Sequence, residues 1–176
     1  LTLTNSVMSG NGQSGLTASG SFLVVSSCLL VGNNGNGAYI TSVSQLLFSD
    51  NLVRGNYGGG MYTEYVAGEI SRNLITDNSG NVAFASNGPY GLEIANNTII
   101  RNTLNGAVVS LALSQNVRFY WNNVSANVAP CSVFVGDGTG YFAENFLENP
   151  AASFELTFVG IAAFLRAPRC WWGSAS

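Results

Sequence analysis

The chain has 176 residues, of which 9% are charged, and its formal net charge is −3. Soluble domains usually carry about 25% charged residues, and here the cations are six arginines, with no lysine and no histidine. A nucleic-acid partner or an anionic lipid surface requires clustered cations, so neither partner is expected. Residues 156–165 form the longest apolar run, about half the length of a membrane span, and membrane insertion is not expected.

A nine-residue frame recurs in chain order at residues 25–33, 48–56, 70–78, 94–102 and 119–127. It consists of an apolar residue, Asn three positions later (Cys28 in the first copy), an apolar residue two positions beyond, and a second Asn five positions after the first. The column of the first Asn recurs every 22 to 25 residues. A period of this size is typical of stacked repeat proteins.

Within each copy the apolar spacing is mainly two, and β-branched and aromatic residues predominate, which predicts strands. A third short strand is predicted after a small residue in each period, at Gly37–Ile40, Gly60–Thr63, Asn81–Phe84 and Gly106–Val109. Three short strands per period describe one coil of a solenoid. The sequence therefore predicts an all-β fold, a single-stranded right-handed parallel β-helix of about seven to eight coils, as one domain over residues 1–176.

The recurring asparagines predict two ladders along the solenoid. A bend between parallel strands requires a residue that tolerates left-handed backbone angles, and Asn does so. In register, each amide can also bond to the amide of the neighbouring coil. The predicted ladder residues are Asn51, Asn73, Asn97, Asn122 and Asn145 in the first column and Asn11, Asn33, Asn56, Asn78, Asn102 and Asn127 in the second.

Three cysteines make an odd and sparse set, which does not predict a disulfide framework. Cys28 and Cys170 fall in the first Asn column, six coils apart, which is about 29 Å and too far for a disulfide. A bridge between Cys131 and Cys170 stays open if the tail folds back. Two sequons, at Asn96 and Asn123, are no more than chance predicts and leave glycosylation open.

The chain opens on Leu1, in the middle of a repeat. An open first coil would expose an unpaired strand edge unless something covers it. We therefore expect that further β-helix coils or a cap precede it and that the chain is a segment of a longer protein.

These repeats resemble those of the pectin-lyase-like superfamily over nearly the whole chain. Residues 169–174, Arg-Cys-Trp-Trp-Gly-Ser, resemble the Asn-Trp-Trp-Gly closing motif of its extracellular, non-lyase members, which include adhesion proteins of the bark beetle (Anakonda) kind; Cys170 replaces the usual Asn. The resemblance implies a non-catalytic scaffold or adhesion module, extracellular or at the cell surface, with a glycan or a protein surface as partner. No cofactor is expected, and Ca²⁺ is implied only for a lyase.

Because the superfamily also contains enzymes that cleave acidic polysaccharides, a polysaccharide lyase or glycoside hydrolase is the alternative. The hydrolase pattern of clustered Asp with His and Lys is absent from the sequence. The sharpest catalytic candidates are Glu69, Glu93 and Arg118, which with Tyr141 stand four positions before the first Asn in consecutive coils. This column should face outward, with its two carboxylates about 5 Å apart, near the spacing of a retaining glycosidase pair. Like charges so close would raise one pKa, as an acid/base pair requires.

A structural interpretation of the charges competes with the catalytic one. In the predicted register, four arginines have a carboxylate in the same column of a neighbouring coil, as ordinary cross-strand pairs do. Glu69 is then left as the unpaired remainder. The predicted pairs are Asp50 with Arg72, Asp77 with Arg101, Glu93 with Arg118, and Glu144 with Arg169.

Aromatic residues supply the candidate ligand-binding site. Tyr120 interrupts a column of small residues, and an exposed Tyr120–Trp121 step beside Arg118 could stack on a sugar ring. The alternative is packing of these rings against a loop. Tyr62, Glu64 and Tyr65 form a second cluster of the same kind.

Overall fold

The computed structural model describes residues 1–112, 115–160, 164–166 and 169–172, with the backbone only at 164–166. These residues form strands and turns, and none of them lies in a helix. Accordingly, none of the described parts of the chain is a helix long and apolar enough to span a membrane. The strands are β1 (Thr2–Thr4), β2 (Val7–Ser9), β3 (Leu16–Ser26), β4 (Leu29–Val31), β5 (Asn36–Ser49), β6 (Leu52–Arg54), β7 (Gly59–Glu64), β8 (Gly68–Ser71), β9 (Leu74–Thr76), β10 (Ser79–Gly80), β11 (Phe84–Asn87), β12 (Leu92–Ala95), β13 (Thr98–Ile100), β14 (Thr103–Leu104), β15 (Ala107–Ala112), β16 (Val117–Tyr120), β17 (Asn123–Ser125), β18 (Cys131–Gly136), β19 (Thr139–Ala143), β20 (Phe146–Glu148), β21 (Phe154–Val159) and β22 (Phe164–Arg166).

The strands stack into three parallel walls that wind through about seven turns. The front wall contains β1, the second halves of β3 and β5, and β8, β12, β16, β19 and β22. The second wall contains β2, β4, β6, β9, β13, β17 and β20. The third wall contains the first halves of β3 and β5, and β7, β11, β15, β18 and β21. This architecture confirms the predicted parallel β-helix.

The core forms because alternate residues of every strand point inward and stack on their counterparts in adjacent coils. In the front wall Phe48 pairs with Ile70, Ile70 with Ile94, and Ile94 with Phe119, and all of these are buried. The second wall contributes a parallel column of buried aliphatic side chains: Leu30, Val53, Ile75, Ile99, Val124 and Leu147. The solenoid is therefore held together by continuous apolar columns that run along its axis.

The corners correct one prediction about the asparagines. The left-handed backbone lies not at the ladder Asn but at the residue before it. At the first corner, between the front and second walls, positive φ angles occur at Asn5, Ser27, Asp50, Arg72, Asn96, Trp121, Glu144 and Arg169. At the second corner, between the second and third walls, they occur at Gly10, Gly32, Gly55, Asp77, Arg101 and Ala126. The preceding residue makes the bend, and the Asn is selected for its amide instead.

The two predicted asparagine ladders are confirmed by their hydrogen bonds. In the first, the backbone N–H and Nδ2 of Asn73 both donate to Oδ1 of Asn97 at 3.0 Å, and those of Asn97 donate to Oδ1 of Asn122. In the second, Asn78 donates to Oδ1 of Asn102 in the same way, at 2.9 and 3.0 Å. Each amide thus satisfies a buried backbone N–H that would otherwise lack a partner.

The second ladder extends one rung beyond the predicted column. Asn127 donates to Oδ1 of Asn149 from its backbone nitrogen at 2.9 Å and from Nδ2 at 2.8 Å. The backbone N–H of Asn149 in turn donates to the Glu155 carboxylate at 2.9 Å, and the Ser132 hydroxyl donates to the same carboxylate. Glu155 therefore supplies the acceptor that a further Asn would have supplied.

The structure differs from the sequence predictions at one strand, and it settles the pairing of the cysteines. None of the three cysteines forms a disulfide, so the bridge that the sequence left open between Cys131 and Cys170 is not formed. Cys28 occupies the predicted ladder position, where its backbone N–H donates to Oδ1 of Asn51 at 2.9 Å. The strand predicted at Asn81–Phe84 was placed too early, because β11 begins only at Phe84. In this coil the second corner, which precedes β11, is longer than the corner that precedes β7 in the preceding coil.

Candidate functional site

The predicted outward column lies in consecutive strands of the front wall. Glu69 pairs with Glu93, Glu93 with Arg118, and Arg118 with Tyr141, each one coil apart. Successive side chains of a strand point to opposite faces of the sheet, so Phe119 points into the core while Arg118 and Tyr120 point outward. We call the group of Arg118, Tyr120, Trp121, Tyr141, Glu144 and Arg169 the front site.

Both candidate carboxylates are engaged by arginine. Oε2 of Glu93 lies 3.8 Å from Nη1 of Arg118, as predicted. Oε1 of Glu69 lies 3.8 Å from Nη1 of Arg72, so the prediction that Glu69 is unpaired was wrong. Its partner is three residues away along its own coil, a contact that a comparison of columns between coils does not find.

Tyr120 is tied to the same carboxylate. Its hydroxyl donates to Oε1 of Glu93, and the Arg118 guanidinium carbon lies 5.7 Å from the centre of its ring. Burial of the phenol, together with its hydrogen bond to Glu93, raises the pKa of Tyr120 to about 12. The phenol therefore stays protonated at neutral pH, and its half-buried ring packs against the indole of Trp121.

Trp121 occupies the left-handed position of the first corner, which turns its indole outward, and it is 54% exposed. Its ring packs edge-on against Tyr120, with 4.8 Å between the centroids. The indole Nε1 donates to Glu144, which also forms an ion pair with Arg169. These contacts hold the indole, and about half of the residue stays accessible to a ligand.

Two adjoining cavities border these side chains. One, of about 260 Å³, is lined by Arg118, Tyr120, Trp121, Tyr141, Ala143, Glu144 and Arg169. The other, of about 310 Å³, shares Arg118 and Tyr141 and is completed by Asn116, Val117, Thr139 and Gly140. The structure thus brings the predicted Tyr120, Trp121 and Arg118 together at one concave surface. The predicted Glu69 and Glu93 lie beside it in the preceding coils and do not line it.

Tyr141, Glu144 and Arg169 complete the front site, although the sequence did not assign them to ligand binding. Tyr141 appeared only as a member of the outward column, and Glu144 and Arg169 only as an ion pair. Trp121, Glu144 and Arg169 each stand directly before the first-ladder position, in consecutive coils. Aligning Trp121 with Glu144 and Arg169 would therefore have shown that the three residues are neighbours.

All four predicted cross-strand ion pairs are present. The best formed is the bidentate pair at the first corner, where Arg72 Nε and Nη2 lie 2.8 and 2.9 Å from the two oxygens of Asp50. A fifth pair, Arg54 with Asp77 at 3.2 Å, joins the Asp77–Arg101 pair. These contacts are exposed, so each contributes little to stability.

The Asp50 pair makes a prediction about pH. The hydrogen bonds from Arg72 hold the pKa of Asp50 below its ordinary value of 3.8. A depressed folded-state pKa stabilises the fold above the unfolded-state value, and this stabilisation is lost as pH falls through the folded-state pKa. We expect Arg72→Gln to raise the pKa of Asp50 towards 3.8, measured by NMR titration of its side-chain carbonyl. Asp77, whose pKa is lowered by Arg101, is the internal control and should not move.

The second predicted cluster is divided by the fold. Tyr62 stacks on Tyr39 in the third wall at 5.1 Å, and burial together with the negative charge of Glu64 raises its pKa. Glu64 accepts a hydrogen bond from Nδ2 of Asn87 at 3.3 Å. Tyr65 turns away into the third corner, between the third and front walls, and does not join them.

Neither sequon is tested by the structure. Asn96 is exposed at the first corner, whereas Asn123 is half-buried and its Oδ1 accepts a hydrogen bond from Ser125 at 2.7 Å. Within the described parts of the chain, no group of three or more His, Cys, Asp or Glu residues is arranged to hold a metal ion.

Comparison with known proteins identifies the fold family. The model of the right handed beta helix region matches residues 1–147. Comparison with curated proteins gives no match. Among solved structures, the A-module of the mannuronan C-5 epimerase AlgE4 from Azotobacter vinelandii superposes with a TM-score of 0.63 at 14% identity, over 99% of this chain. The chain spans 58% of the length of that module.

At this identity the likeness to the epimerase module establishes the shared fold alone. The family match covers most of the chain, and the ladders, the walls and the superposition agree with it. The family match and the shared fold support the predicted pectin-lyase-like superfamily. The chain belongs to the right-handed β-helix family.

Proposed function

We propose that the chain is a non-catalytic β-helix module that binds glycans at the front site. The observation that carries the proposal is the exposed Trp121 indole, which lines one cavity together with Arg118 and Tyr141, the two residues that this cavity shares with the second. Aromatic faces stack on the apolar faces of sugar rings, and arginine binds carboxylate groups in a planar fork. Arg118 pairs with Glu93 through Nη1 and Arg169 with Glu144 through Nη2. Each guanidinium group carries further N–H donors, which suit the site to a uronate-containing chain.

The surrounding groups favour binding over turnover. A general acid or base must be available to the substrate with a pKa near the working pH. Glu93 is occupied by Arg118 and by the Tyr120 hydroxyl, and Glu69 lies against Arg72. The phenol of Tyr120, with its pKa of about 12, is a poor base at neutral pH. These contacts leave both carboxylates and the phenol in structural roles.

Calorimetric titration with hexagalacturonate and hexamannuronate tests this function. We expect Trp121→Ala and Arg118→Gln each to weaken binding about fivefold to tenfold, the size of a lost stacking or cation contact. Arg101→Gln is the charge-matched control, because Arg101 is an exposed, ion-paired arginine at a different corner. Equal losses of affinity in Arg101→Gln and Arg118→Gln would mean that binding depends only on net charge, and would contradict a specific binding site at Arg118.

The second candidate is a polysaccharide-acting enzyme. It is favoured by the in-register Glu69 and Glu93 on the front wall and by the activity named for the epimerase module, which acts on mannuronan. In that case the front column would carry the reaction, with residues outside this chain completing the site. Turnover of either hexasaccharide that is lost in Glu93→Gln, with the fold intact, would establish the enzyme and overturn the binding module.

We also propose that the module is extracellular and has an adhesive role of the bark beetle kind. An adhesion module predicts association between copies of the chain or with cell-surface glycans through Trp121. Sedimentation of wild type and Trp121→Ala distinguishes self-association from glycan binding, since only the former depends on protein concentration.

A further inference from the structure

A larger groove lies at the third corner, and none of the front-site residues lines it. Its volume is about 860 Å³, and its residues come from four consecutive coils: Ser42, Val43, Ser44, Tyr65, Val66, Ala67, Gly88, Pro89, Tyr90 and Gln115. Three coil spacings give it a length of about 14 Å along the axis. Small-molecule sites usually occupy about 300 to 1,000 Å³, so the groove is large enough for several sugar rings.

Two tyrosines dominate this groove and both are exposed, Tyr65 by 61% and Tyr90 by 67%. Tyr65 stands in a column whose neighbours are small, Ser42 in the preceding coil and Gly88 in the next, and all three have left-handed backbone angles. A Cβ built on Gly88 would lie 2.7 Å from Cε1 of Tyr65. The edge of the Tyr65 ring therefore covers Gly88. A side chain at position 88 would clash with the ring, so glycine is required for this position of the ring.

The floor of the groove is rigid. Val43 and Val66 are completely buried beneath it. Backbone hydrogen bonds join the coils across it, from Ala67 to Val43 at 2.9 Å, from Tyr90 to Val66 at 3.0 Å and from Gln115 to Pro89 at 3.0 Å. A ligand would thus meet a preformed surface, which lowers the entropic cost of binding.

The lining chemistry indicates the class of ligand. None of the ten described lining residues is charged, in contrast to the arginines of the front site. The rings of Tyr65 and Tyr90 present apolar faces with hydroxyl groups at their ends, and the exposed Gln115 amide lies at the same groove. Apolar faces edged by neutral hydrogen-bonding groups match the alternating C–H faces and hydroxyls of a neutral sugar.

We propose that the third-corner groove is a second saccharide site, specific for neutral oligosaccharides. It is independent of the front site, since the two are lined by different residues. A polysaccharide with both neutral and acidic segments could then engage two corners of the same solenoid.

Calorimetric titration with neutral hexasaccharides of glucose, mannose and xylose tests the proposal on the full chain. At least one should bind, and Tyr65→Ala and Tyr90→Ala should each weaken that binding about fivefold or more. Alanine at position 65 is compatible with the fold, because Ala126 adopts the same left-handed backbone with φ 54°. Tyr57→Ala is the matched control, since Tyr57 is 66% exposed and does not line the groove.

Three outcomes would overturn the second site. The first is no binding of any of the three probes at millimolar concentration, and the second is an equal loss in the Tyr57→Ala control. The third is a concentration-dependent dimer that Tyr65→Ala and Tyr90→Ala abolish, since the groove would then be an interface between copies. Front-site variants separate the two proposals: Trp121→Ala should affect hexagalacturonate and leave the neutral probes unchanged.

Discussion

Replacing Asn97 by alanine is expected to lower the free energy of unfolding by about 3 to 5 kcal/mol. Asn97 is 1% exposed and sits in the middle of the first ladder. Its Oδ1 accepts from the backbone N–H and from Nδ2 of Asn73. Its Nδ2 donates to the Ile70 carbonyl at 2.9 Å and to the Ala95 carbonyl at 3.1 Å. Alanine would leave these groups buried without partners, at about 1 to 3 kcal/mol for each group that finds no substitute.

Urea unfolding monitored by far-ultraviolet circular dichroism measures the loss, and two other asparagines serve as controls. Asn123→Ala removes a half-buried Asn whose side chain bonds only to Ser125 among the described residues. Asn11→Ala removes the exposed first rung of the second ladder. Each control should cost about 1 kcal/mol or less. A loss for Asn97→Ala no larger than for Asn123→Ala would contradict a stabilising ladder.

Phe119→Ala is expected to destabilise the fold by about 3 to 5 kcal/mol, the range for removing a buried aromatic ring. The Phe119 side chain is completely buried, and its ring lies 5.3 Å from that of Phe142 in the next coil. In a solenoid each coil contacts only its neighbours, so the cavity should weaken the coils beneath the front site most. Hydrogen exchange should therefore increase in β16 and β19 before it increases in β4 and β6.

The matched control for the core prediction is Phe22→Ala. Phe22 is a phenylalanine of the front wall that is 52% exposed, and its loss should change stability by about 0.5 kcal/mol or less. Phe119→Leu, which keeps most of the volume, should restore a large part of the stability. Equal effects of Phe22→Ala and Phe119→Ala would mean that the apolar columns do not hold the coils together.

Most of the fold could be predicted from the sequence because the repeat fixes the register. Once the asparagines are aligned, the position of any residue in the neighbouring coil follows. The pairings of Asp50 with Arg72 and of Glu93 with Arg118 were predicted in this way, and both are present. The same alignment marked Tyr120 as the residue that interrupts a column of small side chains near the outward Arg118, and the structure has both at one cavity with Trp121.

What the sequence did not reveal depends on departures from the repeat. Asn149 follows Asn145 by four residues instead of five, so the column of second asparagines missed it and the Glu155 acceptor behind it. The left-handed residue was assigned to Asn because isolated asparagines tolerate that backbone. In the structure the left-handed backbone lies instead at the residue before each ladder position, as at Arg72, Trp121 and Glu144.

The third-corner groove lay beyond sequence reasoning for a similar reason. Its shape arises where the corner differs in length between coils, with Val66 and Ala67 in one coil facing Pro89 and Tyr90 of the next. The repeat pattern contains no information about such differences in three dimensions. The sequence analysis grouped Tyr65 with Tyr62 and Glu64, whose side chains lie on the third wall.

The central claim, that the front site binds a glycan without transforming it, is tested most directly by proton NMR of hexamannuronate with the protein and Ca²⁺ over one day. Saturation transfer reports binding, and the sugar resonances report chemistry in the same sample. We predict saturation transfer that Trp121→Ala reduces, with an unchanged sugar spectrum. New resonances from unsaturated or epimerised sugars, or no saturation transfer to any sugar proton, would contradict the claim.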